Sequence, residues 1–345
     1  MQPQHTLPPF TVQEVIVSLS ETVDWSLALY GVPEQWQRSR GDGVRVAVLD
    51  TGVDMRHPDL RDAIADMRDF TGSPHGPQDR NGHGTHCAGT IAARENAVGV
   101  IGVAPQCSLL VGKVLGDSGS GDGAGVAAGI DWACEQGADV ISMSLGSPQA
   151  DERIALAIER AVEQGKFVIA AAGNSGRPDD VNFPARWKGR PRAQRDTIAV
   201  AAVDRKGRVA RFSSRGPEVD IAAPGVDITS TYLRGGYAKL SGTSMATPFV
   251  AGVVALTLAV HRQVENPRTP LRTMADLREH LSRTARDAGE LGPDDEYGAG
   301  LIDPGSMLMR EQAADEPLPA LQFGGVKVYL PAREGDLVSL DIGGR

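Results

Sequence analysis

Three cysteines in 345 residues, Cys87, Cys107 and Cys134, are too few and of the wrong parity for a disulfide framework. The first ten residues, MQPQHTLPPF, have neither the basic start nor the apolar run of a secretion signal. Apolar runs are short as well: Val250 to Val260 is the longest, and it cannot span a bilayer. These shortages together predict a cytoplasmic protein with no membrane partner, kept in a reducing compartment. Positive charge is also scarce. Lys and Arg number 35 against 44 Asp and Glu, for a net charge of −9 and a pI of about 5.3, which argues against a nucleic-acid partner. Charge does not identify a substrate.

Glycine is plentiful, at 41 positions, and hydrophobic residues make up 41% of the chain. That composition suits a globular protein with tight turns and close backbone contacts, long enough for one large α/β domain. Val44–Leu49, Leu109–Val114, Val140–Leu145, Phe167–Ala172 and Ile198–Val203 are nearly continuous apolar runs, as expected of strands buried on both faces. Helical patterns fall between them at 82–94, 123–137 and 152–164. In the last, Ile154, Ala157, Ile158, Ala161 and Val162 form one stripe and Gly165 is placed to end it. Strand–helix alternation predicts a parallel sheet with right-handed crossovers and functional groups at the carboxyl ends of its strands. Residues 1–40 read as a polar, proline-containing lead, 272–286 as helical, and 311–319 as a linker. Residues 320–345 alternate like two strands.

Three short segments concentrate chemistry. Val48-Leu49-Asp50-Thr51-Gly52 puts a carboxylate at the end of a buried strand. Asn81-Gly82-His83-Gly84-Thr85-His86 is a glycine-rich turn opening a helix, and Ser241-Gly242-Thr243-Ser244-Met245-Ala246-Thr247-Pro248 opens another. A serine hydroxyl is a weak nucleophile until a base takes its proton, and that base needs a carboxylate to orient it. The chain offers one of each, with Ser244 at a helix N-terminus where backbone N–H groups and the dipole favour a developing oxyanion.

These segments resemble the subtilisin (subtilase) family, in which Asp, His and Ser follow in that order. The resemblance extends through Gly99–Pro105, Ser144-Leu145-Gly146, Ala171-Ala172-Gly173-Asn174 and Ala223-Pro224-Gly225, and covers about residues 25–305. It implies a three-layer α/β fold with a mostly parallel central sheet flanked by helices. It also implies a serine endopeptidase acting on proteins and peptides, in which Asp50 orients, His83 is the base, Ser244 attacks, and Asn174 with Ser244 stabilises the oxyanion. Gly119, Ser120 and Gly121 on one side, and Ser144, Leu145 and Gly146 on the other, would be edges between which a peptide lies extended. Ala171, Ala172, Gly173 and Asn182, with Ser175, would shape the primary pocket. Gly123 would leave the outer pocket open, and Lys188–Gln194 would be an insertion.

Other readings of the same residues were weighed. Gly116-Asp117-Ser118-Gly119 mimics the trypsin-like nucleophile loop, but two β-barrels contradict the strand–helix alternation. Asp50-Thr51-Gly52 with Asp117-Ser118-Gly119 mimics an aspartic dyad, which belongs to an all-β fold. A lipase-like elbow at Ser244 with Asp276 and His280 leaves Asp50 and His83 unexplained. His86 lacks a carboxylate at metalloprotease spacing and reads as structural. A proteolytically inactive binding module of the same fold is the competing function, and a homodimer is compatible with the sequence.

Two further features follow from the resemblance. A structural calcium ion would take Asp59, the Asn96 side chain and the carbonyls of Arg94, Val98 and Val100. The family's N-terminal glutamine ligand falls at Ser26, with Asp24 as a substitute. Residues 1–24 would be a leader, with Leu7-Pro8-Pro9-Phe10 resembling the inhibitory motif of the intracellular subtilisins. Leu7–Phe10 would pair with the two cleft edges while the prolines block cleavage. Residues 25–310 would then be the peptidase domain and 311–345 a linker and extension.

Overall fold

The computed structural model describes residues 4–16, 20–186, 196–262 and 271–309, with the backbone of three short strands between 321 and 342. The strands are β1 (Gln4–Thr6), β2 (Thr11–Ile16), β3 (Arg45–Asp50), β4 (Ile64–Asp69), β5 (Ser108–Lys113), β6 (Ser120–Asp122), β7 (Val140–Met143), β8 (Phe167–Ala171), β9 (Ile198–Val203), β10 (Ile221–Pro224), β11 (Ile228–Thr231) and β12 (Tyr237–Ser241), with β13 (Leu321–Phe323), β14 (Val326–Tyr329) and β15 (Ser339–Ile342) in a second unit. The helices are α1 (Trp25–Leu29), α2 (Val32–Gln35), α3 (His83–Ala92), α4 (Gly123–Glu135), α5 (Glu152–Glu163), α6 (Thr243–Arg262), α7 (Met274–Thr284) and α8 (Pro304–Met307).

Seven strands form the central sheet in the order β10-β9-β8-β7-β3-β5-β4, and every pairing in it is parallel. β3 shows why the layers are three. Successive side chains on a strand alternate faces. Val46 and Val48 join Ile91 of α3 and Phe249 of α6 in one core. Ala47 and Leu49 join Ile130 of α4 and Ile158 of α5 in the other. Because β3 lies between β5 and β7, chain order changes direction beside it, and the carboxyl end of β3 opens a crevice. Asp50 is the last residue of that strand.

α5 begins with Asp151 as its N-cap, buries Ile154, Ala157, Ile158 and Ala161, and is followed by Gly165 at φ +73°. α6 has the length and apolarity of a membrane span, yet Thr243 to Val260 are all buried within the protein. The three cysteines are unpaired.

Several elements differ from the sequence expectation. The lead contains β1, β2, α1 and α2. β1 pairs antiparallel with β6, and β2 joins β11 and β12 in an antiparallel sheet. β4 and β10, at the two edges of the central sheet, carry no long apolar run. Met1–Glu265 with Pro270–Leu308 form one compact unit, and Asn266–Thr269 with Met309–Arg345 form another. In the second, β13, β14 and β15 make an antiparallel sheet of three strands where the alternation suggested two. The expected insertion at 188–194 and linker at 311–319 lie outside the described residues.

Candidate active site

Asp50 and His83 are both fully buried and meet directly. His83 Nδ1 lies 2.9 Å from Asp50 Oδ1 and 3.0 Å from Oδ2, so this nitrogen carries the proton and donates it to the carboxylate. Burial alone would lower the His83 pKa; the Asp50 charge and hydrogen bond, aided by Cys87, outweigh it and hold the imidazole well above its ordinary value. The turn that delivers His83 is tied by Asp79. Its Oδ1 accepts from Asn81 N and Gly82 N, and its Oδ2 accepts from Thr85 N and Oγ1. Gly82 sits at φ +100° with the Tyr232 ring 2.3 Å from where a Cβ would be, so no other residue fits. Thr51 links the two sides: its hydroxyl donates to Asp79 and accepts from Gly84 N. Behind them the fully buried Lys113 donates to the Thr51 carbonyl at 2.6 Å and pairs with Asp117.

Ser244 stands in the first turn of α6. Four residues on, Pro248 has no N–H to give the Ser244 carbonyl. Ser144 Oγ donates to that carbonyl at 2.9 Å instead, and Cys87 Sγ approaches it at 3.5 Å. Cys87 also lies 3.8 Å from His83 Nδ1, and burial first of all pushes its pKa up, so it is a neutral thiol rather than a nucleophile. Asn174 is oriented by Thr243, whose N–H and hydroxyl donate to Asn174 Oδ1 at 2.9 and 2.8 Å. The amide nitrogen is thereby turned toward the cleft. Ser244 and His83 are not joined by a hydrogen bond here. The serine hydroxyl donates to the Ser144 carbonyl at 3.4 Å, and His83 Nε2 has no hydrogen-bond partner among the described residues.

The cleft between the two expected edges is filled by the chain's own N-terminus. His5 lies opposite Gly121 and Thr6 opposite Ser120 in the β1–β6 ladder. Thr6 N donates to Gly146 O at 3.1 Å, Gly146 N to Thr6 O at 3.0 Å, and Leu7 N to Gly119 O at 3.0 Å. Pairing is thus made by Gln4–Leu7 rather than Leu7–Phe10, because Pro8 and Pro9 have no N–H to offer. The Pro9 carbonyl accepts from Asn174 Nδ2 at 2.8 Å, and the Phe10 ring packs 4.8 Å from the His83 ring. Asn182 lies against Gly146 and Gly173, and Ser175 Oγ is 3.0 Å from Ser214 Oγ.

Around Asp59 the structure gathers the loop 94–100. The buried Asp59 carboxylate accepts from Asn96 Nδ2 and Val100 N, both at 3.1 Å. Asp24 does not reach it. Its oxygens accept from Ser26 N, Ser26 Oγ and Thr229 N, so it caps α1 and ties it to β11. Glu21 approaches the loop instead, accepting from Asn96 N and Ala97 N.

Sequence reasoning assigned no role to Thr243, Asp79 or Lys113. The first two lie in or beside quoted motifs, which was the available signal. Lys113 ends an apolar run, and nothing nearby in sequence names its partner. His86 donates to the Ile228 and Ala238 carbonyls, while Asp276 caps α7 and His280 bonds Met307 O, so each is used structurally.

The subtilase family profile matches residues 41–300, and the chain belongs to that family. It is 46% identical over 290 residues to a thermostable alkaline protease of Halalkalibacterium halodurans, covering 84% of this chain and 74% of that one. It is 42% identical over 284 residues to subtilisin Savinase of Lederbergia lenta, covering 82% and 97%, and 44% identical over 245 residues to thermitase of Thermoactinomyces vulgaris, covering 71% and 85%. The protein is a subtilisin-type serine endopeptidase with a subtilisin-like fold, and proteins and peptides are its substrates.

Proposed function

We propose that Asp50, His83 and Ser244 are the catalytic triad of this endopeptidase, with Asn174 and the Ser244 backbone as the oxyanion site. One observation supports this reading above the others: Asp50 engages His83 Nδ1, and the buried Nε2 is left without a partner among the described residues. With the proton on Nδ1, the Nε2 lone pair is the base. Ser244 gives its proton to Nε2 as Oγ attacks the substrate carbonyl, and Asp50 stabilises the imidazolium. The Asn174 amide receives the oxyanion, and His83 then protonates the leaving amine. A fluorophosphonate should label Ser244 in the processed enzyme, and Ser244→Ala should abolish both labelling and turnover. Activity surviving in that variant above a contaminant control would overturn the triad; no labelling of the processed wild type would favour the inactive binding module.

The second part of the proposal is that residues 1–24 keep the enzyme a zymogen. With Thr6 opposite Gly146, an unbroken strand would bring Pro8 opposite Ser144, yet the carbonyl on Asn174 is that of Pro9. The prolines thus shift the chain by one residue. A misplacement of about 1 Å can already cost about 10² in rate. Phe10 covers His83, and Ser244 remains on the Ser144 carbonyl. Cutting between Phe10 and Trp25 would release the block.

The third part is calcium. Asp59 is a buried carboxyl group, and among the described residues it has no Lys or Arg partner, only neutral donors. A hard divalent cation fits that carboxylate, the Asn96 side chain and the carbonyls of Arg94, Val98 and Val100. Bound there it would supply structural charge, remote from the chemistry. A cytoplasmic location completes the reading, supported by three thiols that remain unpaired.

A further inference from the structure

We propose that Asp151 is the specificity-determining residue of the outer end of the cleft, where it selects a Lys or Arg side chain from the substrate. The inference rests on the endopeptidase reading above and names its substrate class.

The leader marks the subsite. His5, opposite Gly121, is 1% exposed, and among the described residues neither of its ring nitrogens has a hydrogen-bond partner. Asp151 Oδ2 lies 4.0 Å from His5 Nε2, too far for a hydrogen bond. A polar side chain aimed at a buried carboxylate, and stopping short of it, indicates a pocket made for a longer donor. The Asp151 side chain is itself 3% exposed. It reaches the subsite because position 123 is glycine: a Cβ there would fall 1.8 Å from Asp151 Oδ2.

Among the described residues, Asp151, Arg153 and Asp122 act on His5 in that order. Arg153 clamps Asp151 through Nε at 3.0 Å and a terminal nitrogen at 2.7 Å, yet its side chain is 39% exposed. It can turn toward water and leave the carboxylate to an incoming cation. Lys and Arg carry charge on long flexible stems that bury along the cleft while the head group reaches Asp151. His5 cannot do this. Burial holds its pKa below the ordinary value against the pull of Asp151, so it docks uncharged. The leader therefore occupies the subsite without satisfying it, and a basic substrate displaces it.

In an unbroken strand the residue opposite Gly121 is three before the one opposite Ser144, hence the fourth residue on the acyl side of the cut bond. The test uses full-length protein after self-processing and peptides that differ only at that residue: Arg, Lys, Leu or Ala. Arg and Lys peptides should exceed the Leu peptide in kcat/KM by about tenfold, the effect of one charge-assisted hydrogen bond, and Asp151→Asn should bring that ratio below about threefold. Asn keeps the N-cap of α5, so the fold is retained, and a ratio taken within one enzyme cancels general damage. Arg153→Ala should raise the ratio, which a merely structural role for the pair would not do. His5→Arg in the full-length chain should slow self-processing, and Asp151→Asn should relieve that delay. A preference for Leu or Ala, or a basic preference unchanged in Asp151→Asn, would overturn the assignment. If no peptide is cut, the endopeptidase reading falls and this inference with it.

Discussion

In the proposed oxyanion site, Asn174 would be ready before any substrate arrives. Two donors from Thr243 occupy its oxygen, so the amide cannot flip, and the Pro9 carbonyl already rests on its nitrogen. A donor fixed in this way costs no reorganisation when charge develops, and it binds charge present mainly in the transition state. Asn174→Leu should therefore leave KM nearly unchanged and lower kcat by about 10²–10³, the cost known for one such donor in a subtilisin rather than a figure this geometry yields. A drop under about fivefold in steady-state kinetics would remove Asn174 from the oxyanion site. At this scale the sequence exposed Asp50, His83, Ser244 and Asn174 because each sits in a compact motif. Thr243 and Asp79 escaped, and Ser144 was legible only as a cleft edge, because their further tasks are set by partners that folding brings near: the Asn174 oxygen, the turn before His83, and a Ser244 carbonyl freed by Pro248.

Among elements, legibility followed burial. β3, β5, β7, β8 and β9 are covered on both faces, so their apolar runs stand out. β4 lies at an edge and reads as a charged stretch, Ile-Ala-Asp-Met-Arg-Asp, while β2 exposes most of its side chains. What makes β2 a strand is the backbone of β12, a partner more than 200 residues away. β1 is likewise defined by the cleft it fills. The leader is therefore held on both sides of its prolines, by β6 before them and by β12 after them. Pro8→Ala/Pro9→Ala would restore N–H groups where the chain now bends, and the bound segment should settle into the register of a substrate. In full-length protein this double variant should process itself faster than wild type, as followed by mass spectrometry. A form beginning near Ser20 should be at least about tenfold more active on peptides, as removal of a block that misplaces a carbonyl by an ångström or more allows. Equal activity of all three with the leader intact would reduce residues 1–24 to an ordinary tail.

For the whole molecule, stability should respond to two kinds of ligand, the proposed metal and the proton. If calcium binds only the native loop around Asp59, it stabilises by mass action, and EDTA should lower Tm more than it lowers the initial rate. Melting curves that coincide in EDTA and in excess Ca²⁺ would count against the site. Protons act through buried imidazoles. Burial is the leading cause that keeps His86, His57, His280 and the leader's His5 below the ordinary value, with His86 brought down to about 3. These groups are neutral in the fold, whereas the unfolded chain takes up protons below about pH 6.5. The unfolded state thus binds more protons in that range, so this stability is complete above pH 6.5 and is lost as pH falls below it, for His86 down to about 3. His83 runs the other way: its raised pKa contributes below pH 6.5, and the contribution fades as pH climbs through the raised value. Among the described residues, the lowered imidazoles of His5, His57, His86 and His280 outnumber the raised one of His83, which makes acid the weaker side. Calorimetry on Ser244→Ala, which removes self-digestion from the measurement, should show Tm falling steadily from pH 7 to pH 4. A flat Tm across that interval would mean that the buried imidazoles gain protons without cost, against the burial that surrounds them.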